Sequence, residues 1–364
     1  QLENKMNIGF VGSPNIGSVA LNMIKDSEEF KAFANVFGEG DRIFFISSIF
    51  GGTGAAGFPI LVKNIRQAQN LDVSNKNFLR QAPIGGLTVL PYFNINNSQG
   101  KSIDKADFVV KTQSALQYYN ESLTGDADRN VNAIFYLGDQ TSSIPYDYDP
   151  GNIRDQHNPA HLVEMVGAMA ALKFAGMADR QFLDGMGGFL PTKAFEYGLD
   201  KDLLDVDFTT FGQETRHLIY RPMVKFHMLF IYMRTALKAI IGQGYTQDEP
   251  KIRSEFTTTQ FYRTLVDQFF DFYTEWLTEM HQNLRHVELF NVGENNLSNI
   301  IHNVVTKKGF FGRKSVDENT FNSEMNKLSR DNKKYSDRTV EYKLLDLFNQ
   351  AAGNILDEKY ENIN

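Results

Sequence analysis

Two glycine-rich stretches carry residue types that bind phosphate. "FFISSIFGGTGAAGFPILVKNIR" (44–66) runs from an Ile- and Phe-rich segment through Gly51, Gly52, Thr53 and Gly54 into apolar residues at helical spacing. Glycine accepts positive φ and lets a backbone approach a ligand closely. Between a strand and a helix, such a turn offers unpaired N–H groups and the positive end of the helix dipole, which together hold an anion. Gly51, Gly52 and Gly54 would shape this turn, Thr53 adds a hydroxyl donor, and Pro59 lies near the first turn, where a missing N–H costs little. "GFVGSPNIGSVALNMI" (9–24) repeats the logic, with Gly12, Ser13, Asn15 and Gly17 ahead of a helix expected to start near Ser18. Two such loops after separate strands could converge on one polyphosphate. Neither continues with the Gly-Lys-Ser/Thr of a P-loop, and a tight β-to-α turn without ligand would use the same residues.

The elements that must position these loops alternate. Strand-like runs at 7–12, 41–50, 85–95 and 131–139 are separated by helix-like segments at 18–37, 55–71 and 102–123. Such alternation predicts an α/β fold, a mostly parallel sheet with helices on both faces. A loop rich in Asp, Pro, Tyr and Gly (141–156) precedes "NPAHLVEMVGAMAALKFAG", with Asn158 expected as N-cap and Pro159 at the first helical position. From about 212 onward every segment reads as helical, with aromatic periodicity over 256–284 and alternating charges in the tail. "KKGFFGRK" (307–314) reads as a solvated loop.

Composition narrows the function classes. The chain has 364 residues, 42% hydrophobic and 22% charged, which suggests two or three globular domains. A net charge of -7 shows no electrostatic footprint for nucleic acid. The absence of cysteine excludes disulfides, thiolate metal sites and cysteine nucleophiles, and fits a reducing compartment. The most apolar helical stretch (223–242) is interrupted by Lys225, His227, Arg234 and Lys238, so no membrane span is expected. No signal-peptide pattern opens the sequence. The expectation is a soluble, cytoplasmic protein.

At this point the residues resemble the tubulin/FtsZ superfamily. Its signature is a GGTG-(S/T)-G loop after a strand, continuing to a proline in bacterial members, and "GGTGAAGFP" (51–59) is similar to it. "IGSVALNMI" (16–24) resembles the helix after the family's first phosphate loop, with Ser18 at an Asn position. "LTVLPYFNI" (87–95) and "VNAIFYLGD" (131–139) are similar to its next two strands, and "DVDFTTF" (205–211) to its catalytic loop N-x-D-F-A-D. These five features occur in the family's order over roughly the first 210 residues.

The resemblance implies a domain over 1–211, central helix included, that binds GTP or GDP with Mg²⁺. It implies head-to-tail stacking into an oligomer or polymer, with catalytic-loop carboxylates reaching a neighbour's nucleotide. Gly12, Ser13, Asn15, Gly17 and Ser18 would line one phosphate loop, and Gly51, Gly52, Thr53, Gly54 and Ala55 the other. Asp205 and Asp207 would be the catalytic pair, while Asp139, Asn158 and His161 fall where the family meets the base. Three departures stand out: Ala55 and Ala56 replace a hydroxyl residue and a glycine, Thr210 replaces the second catalytic carboxylate, and Asp205 replaces an Asn. Binding is therefore better supported than hydrolysis. Residues 212–364 lack the family's second-domain pattern and would form an all-helical domain for oligomerisation or partner docking.

Two other readings compete. "TGAAGF" (53–58) mimics the glycine loop of short-chain dehydrogenases that use NAD(P), and "YGLDK" (197–201) supplies a Tyr-x-x-x-Lys pair, in which Tyr197 would donate a proton and Lys201 lower its pKa. Here, however, another glycine loop comes first. The second alternative is a non-catalytic interaction module whose shape the nucleotide fixes. The seven histidines include no His-Glu-x-x-His pair, which leaves metal-hydrolase readings weak.

Overall fold

The computed structural model describes Pro14–Glu361 apart from residues 71, 93, 96–104, 126–128, 140–144, 147–158, 201, 292, 294, 311 and 331. The chain divides into two compact units. The first holds residues 1–158 and 162–202, the second 159–161 and 203–364.

The first unit is built on a four-stranded, wholly parallel sheet. β1 (Ile43–Ser48), β2 (Ile84–Val89), β3 (Ala133–Leu137) and β4 (Lys193–Tyr197) lie side by side in that order. Ser48, Val89, Leu137 and Tyr197 share a register row at the carboxyl edge. Alternate residues feed two apolar cores. Ile134 and Tyr136 meet one with helix α3 (Gly52–Arg66) and Tyr119 of α4 (Lys105–Ser122), while Ala133, Phe135 and Leu137 meet the other with α5 (Leu162–Gly176). The strand period of two makes this division automatic. Helices therefore cover both faces, as the alternation predicted.

The central strand starts with glycines because phenylalanines press on it from both sides. A Cβ on Gly85 would lie 2.8 Å from carbons of Phe174 and Phe44, and one on Gly86 2.1 Å from Phe58 Cζ. Behind this packing Arg66 is half-buried, donating to the carbonyls of Arg80 (2.7 Å), Ala82 (2.8 Å) and Asn130 (2.9 Å). Burial lowers its pKa to about 9.

The helix expected over 18–37 is broken. It runs as α1 (Pro14–Asn22), a 3₁₀ turn, and α2 (Glu28–Val36). Ser27 caps α2 by accepting the Phe30 N–H at 3.2 Å, and Glu28 and Glu29 face the positive end of its dipole. Helix α5 starts at Leu162, so Pro159 does not occupy its first position.

The second unit is mainly helical but not all-helical, which corrects the expectation for 212–364. β5 (Asp205–Val206) pairs in parallel with β6 (His286–Val287), and β7 (Lys308–Gly309) pairs antiparallel with β8 (Gly312–Arg313). The last pair converts the expected loop at 307–314 into a hairpin, helped by Gly312 at φ 122°. Because β5 pairs with β6, residues 203–211 belong to this unit. Its long helices are α6 (Gln213–Thr235), α7 (Phe270–Gln282), α8 (Glu318–Leu328) and α9 (Val340–Lys359). The aromatic stretch before α7 includes a π-helical segment at Arg263–Phe269. Phe226 meets Phe269, Phe270 and Tyr273 with ring centroids 5.9, 6.0 and 5.1 Å away. Lys343 of α9 is fully buried, and its ammonium donates to the carbonyls of Tyr245 (2.8 Å), Pro250 (3.1 Å) and Asp248. Among the described residues no helix is long and apolar enough to cross a membrane.

Candidate functional site

The glycine turn after β1 is the start of α3 itself. Gly51 is the N-cap in an extended conformation (φ -85°, ψ 154°) and, having no side chain, caps nothing. Gly52, Thr53 and Gly54 make the first turn, and Ala55 N–H is the first to close a backbone bond, to Gly51 O at 3.2 Å. The N–H groups ahead of it have no partner within the helix and carry its positive partial charge. Acidic residues are missing from this turn, and its Thr53 is exposed.

Close packing explains one of the glycines. A Cβ on Gly54 would stand 2.7 Å from Ser48 O and 3.1 Å from Ser48 N, so only glycine lets α3 start flush against the end of β1. At Gly51 the nearest atom would be the movable Ser48 Oγ, at 2.9 Å. From below, Tyr119 donates its hydroxyl to Ala55 O (3.2 Å) and to Gly54 O (3.4 Å). Burial pushes the Tyr119 pKa up, against a hydrogen-bonding contribution from Ser47, and the group stays a donor. Nothing local marks this role: in "QYYNES" it is one of two adjacent tyrosines on a helix.

Asp139 follows β3 at the same carboxyl edge and is half-buried. It is two strands from the Gly51–Ala55 turn, about 10 Å at ordinary strand spacing. Thr88, fully buried near the end of β2, has a hydroxyl with no hydrogen-bond partner among the described residues. The edge thus places helix-start amides and a carboxylate on the same side of the sheet. Crevices outside the carboxyl ends of parallel strands are where ligands of open α/β sheets bind.

The first phosphate loop differs from expectation. Gly12, Ser13 and Asn158 lie outside the described residues. Asn15, Gly17 and Ser18 are inside α1, which begins at Pro14 rather than near Ser18. Proline at a first helical position has its φ set in advance and lacks an N–H that would be unpaired anyway. Asn15 is exposed in the first turn, whereas Gly17 is buried and Ser18 half-buried, its amide within the helical ladder. Helix α1 packs along α3, and a Cβ on Gly57 would touch Leu21 at 3.1 Å.

Asp205 and Asp207 belong to the second unit. Asp205 is exposed on β5, opposite His286. Asp207 is 9% exposed and its carboxylate is occupied by donors. Oδ1 accepts from Thr209 N (2.6 Å), Thr209 Oγ1 (2.6 Å) and Thr210 N (3.2 Å), and Oδ2 from Asn303 Nδ2 (2.7 Å). Burial works against its charge, but the bonds from Thr209, Asn303 and Thr210 outweigh it and hold the carboxyl below the usual range. Thr210, at the position of the family's second carboxylate, returns a bond by accepting Asp207 N–H at 3.0 Å. His161 is buried within the second unit.

The dehydrogenase pair does not assemble as such enzymes need. Tyr197 ends strand β4 and lies parallel to the Phe135 ring at 5.9 Å, so it lacks the helical i, i+4 geometry; Lys201 lies outside the described residues. Among the described residues no group of three or more His, Cys, Asp or Glu could hold a metal ion. No family model, curated protein or solved structure matches the chain.

Proposed function

We propose that the first unit binds the phosphates of a nucleotide at the Gly51–Ala55 helix start, and that a guanine nucleotide with Mg²⁺ is the ligand the resemblance to tubulin/FtsZ favours. One observation carries this reading. The α3 N-terminus lies at the carboxyl edge of a parallel sheet, its N-cap is a glycine with no side chain to bond the first amides, and it is held in shape from below by Tyr119. Backbone amides and the helix dipole would bind the phosphates, supplemented by Thr53. Asp139 lies at a distance suited to another part of the same ligand.

Head-to-tail assembly belongs to the same proposal. Asp205, exposed on β5, is the carboxylate left to polarise water at a neighbour's nucleotide, and Asp207 holds the loop that presents it. With Asp207 saturated and Thr210 at the family's second carboxylate, the geometry favours a nucleotide-regulated interaction module over a fast GTPase. Calorimetry on the full chain with GTP, ATP and NAD, each with magnesium, tests the reading. Binding of GTP in preference to the others is expected. Binding of NAD alone would replace this reading with a nicotinamide one, and binding of none would overturn it.

A further inference from the structure

Pro59 lies inside α3, the eighth of its 15 residues, and not in the first turn where a missing N–H would cost little. In an α-helix residue 59 would donate to the carbonyl of residue 55. Proline has no N–H to give, and its ring pushes that carbonyl aside. The ladder of α3 therefore lacks a rung just past the Gly51–Ala55 turn, and Ala55 O needs another donor. It finds one on α4. The Tyr119 hydroxyl donates to Ala55 O at 3.2 Å and shares its proton with Gly54 O at 3.4 Å. Tyr119 is fully buried, and its ring meets the Phe58 ring edge-on with centroids 5.6 Å apart. Phe58 in turn occupies the space where a Cβ on Gly86 of the central strand would stand. The hydroxyl is thus delivered from a fixed position.

We propose that Tyr119 is the positioning residue of the phosphate site. It bridges the gap that Pro59 leaves and holds the α3 start in its binding shape, an assignment that rests on the phosphate reading of that site. A chain of hydrogen bonds runs from the hydroxyl to the helix start. The peptide whose oxygen is Gly54 O carries Ala55 N–H, which donates to Gly51 O at 3.2 Å. The Gly51 peptide in turn carries Gly52 N–H, one of the helix-start amides. Each bond polarises the next, so a donor at the buried end strengthens the donor at the ligand end. Without the hydroxyl the Ala55 carbonyl is stranded, and the glycine turn is tied to the body of α3 by one bond fewer.

Titration of the full chain with GTP and magnesium, paired with amide hydrogen exchange on the free protein, tests this. Tyr119→Phe keeps the ring against Phe58 and removes only the hydroxyl. Affinity should fall roughly five-fold, the worth of one hydrogen bond, and the amides over 52–58 should exchange faster. Pro59→Ala supplies the N–H that Ala55 O lacks. In that background Tyr119→Phe should cost less than about two-fold in affinity and leave the exchange unchanged. Equal losses of affinity in the two backgrounds, an affinity that Tyr119→Phe does not alter, or exchange that it does not speed would each overturn the assignment. If wild type binds no GTP, the nucleotide reading fails, and the exchange pattern alone decides whether Tyr119 bridges the gap.

Discussion

The helix start at Gly51–Ala55 and the loop at Asp207–Thr210 spend their hydrogen-bonding capacity in opposite ways. In the loop, one carboxylate gathers donors from Thr209, Thr210 and Asn303, and Thr210 bonds back to the Asp207 amide. At the helix start, Gly51 has no side chain to cap with, and Tyr119 bonds to the carbonyls of Gly54 and Ala55 rather than to the amides. A saturated group stabilises its surroundings and has little left for a ligand. An unsaturated one has donors to give, and glycine keeps the approach open.

The first effect expected from this contrast is in the loop. Asp207→Ala should cost about 1–2 kcal/mol of stability in urea unfolding, since it removes the shared acceptor of part-buried bonds from Thr209, Thr210 and Asn303. The affinity of the monomer for nucleotide should not change. A loss of binding with little loss of stability would reverse the roles assigned to the two regions.

The second effect is pH dependence in the unit that holds the loop. His227 is buried, stacks on Phe290 with centroids 4.0 Å apart, and its Nδ1 lies 3.1 Å from the Tyr273 hydroxyl. Burial lowers its pKa from 6.5 to about 3. The unfolded chain takes up this proton below pH 6.5 and the folded chain only near pH 3. Stability is therefore fully present above 6.5 and falls as pH drops through that window, by about 1.4 kcal/mol per unit well below 6.5. Urea unfolding at pH 5 should show about 2 kcal/mol of this loss, and His227→Phe should remove most of that slope. Asp207 adds its own loss only at more acidic pH, where its carboxyl takes up a proton, so the two contributions separate.

A smaller effect tests the glycine. Gly54→Ala gains up to about 1 kcal/mol of helix propensity but drives a methyl into the Ser48 carbonyl, and overpacking of this kind costs about 1–3 kcal/mol. The clash wins, giving a net loss near 1 kcal/mol in urea unfolding. That substitution disturbs the turn whether or not a ligand binds there, so it reads packing rather than binding.

The strands at 41–50, 85–95 and 131–139 were legible because buried parallel strands are near-continuous apolar runs. Strand β4 was not. Its "KAFEY" lies on the sheet's edge with lysine and glutamate interleaved, too short and too polar to register as a run. The break inside 18–37 does have a local signal, Ser27 followed by two glutamates, which is a helix start. Of the site, the glycine turn was visible because strand, glycine and helix are contiguous. The saturation of Asp207 was not, since Asn303 comes from 96 positions along the chain. Tyr119 is likewise 64 positions from the carbonyl it holds. Local patterns announce a turn, but whether its groups are already satisfied depends on partners that only folding brings in.

The central claim is that the α3 N-terminus receives a phosphate, and Thr53→Asp tests it most directly. An acid in the exposed first turn should leave stability unchanged or raise it by about 0.3–1 kcal/mol through the helix dipole. The same charge would repel a bound anion. Titration of wild type and Thr53→Asp with GTP and magnesium, alongside thermal melts, should show at least a roughly ten-fold loss of affinity with no loss of melting temperature. Equal affinity in the two proteins would contradict the account.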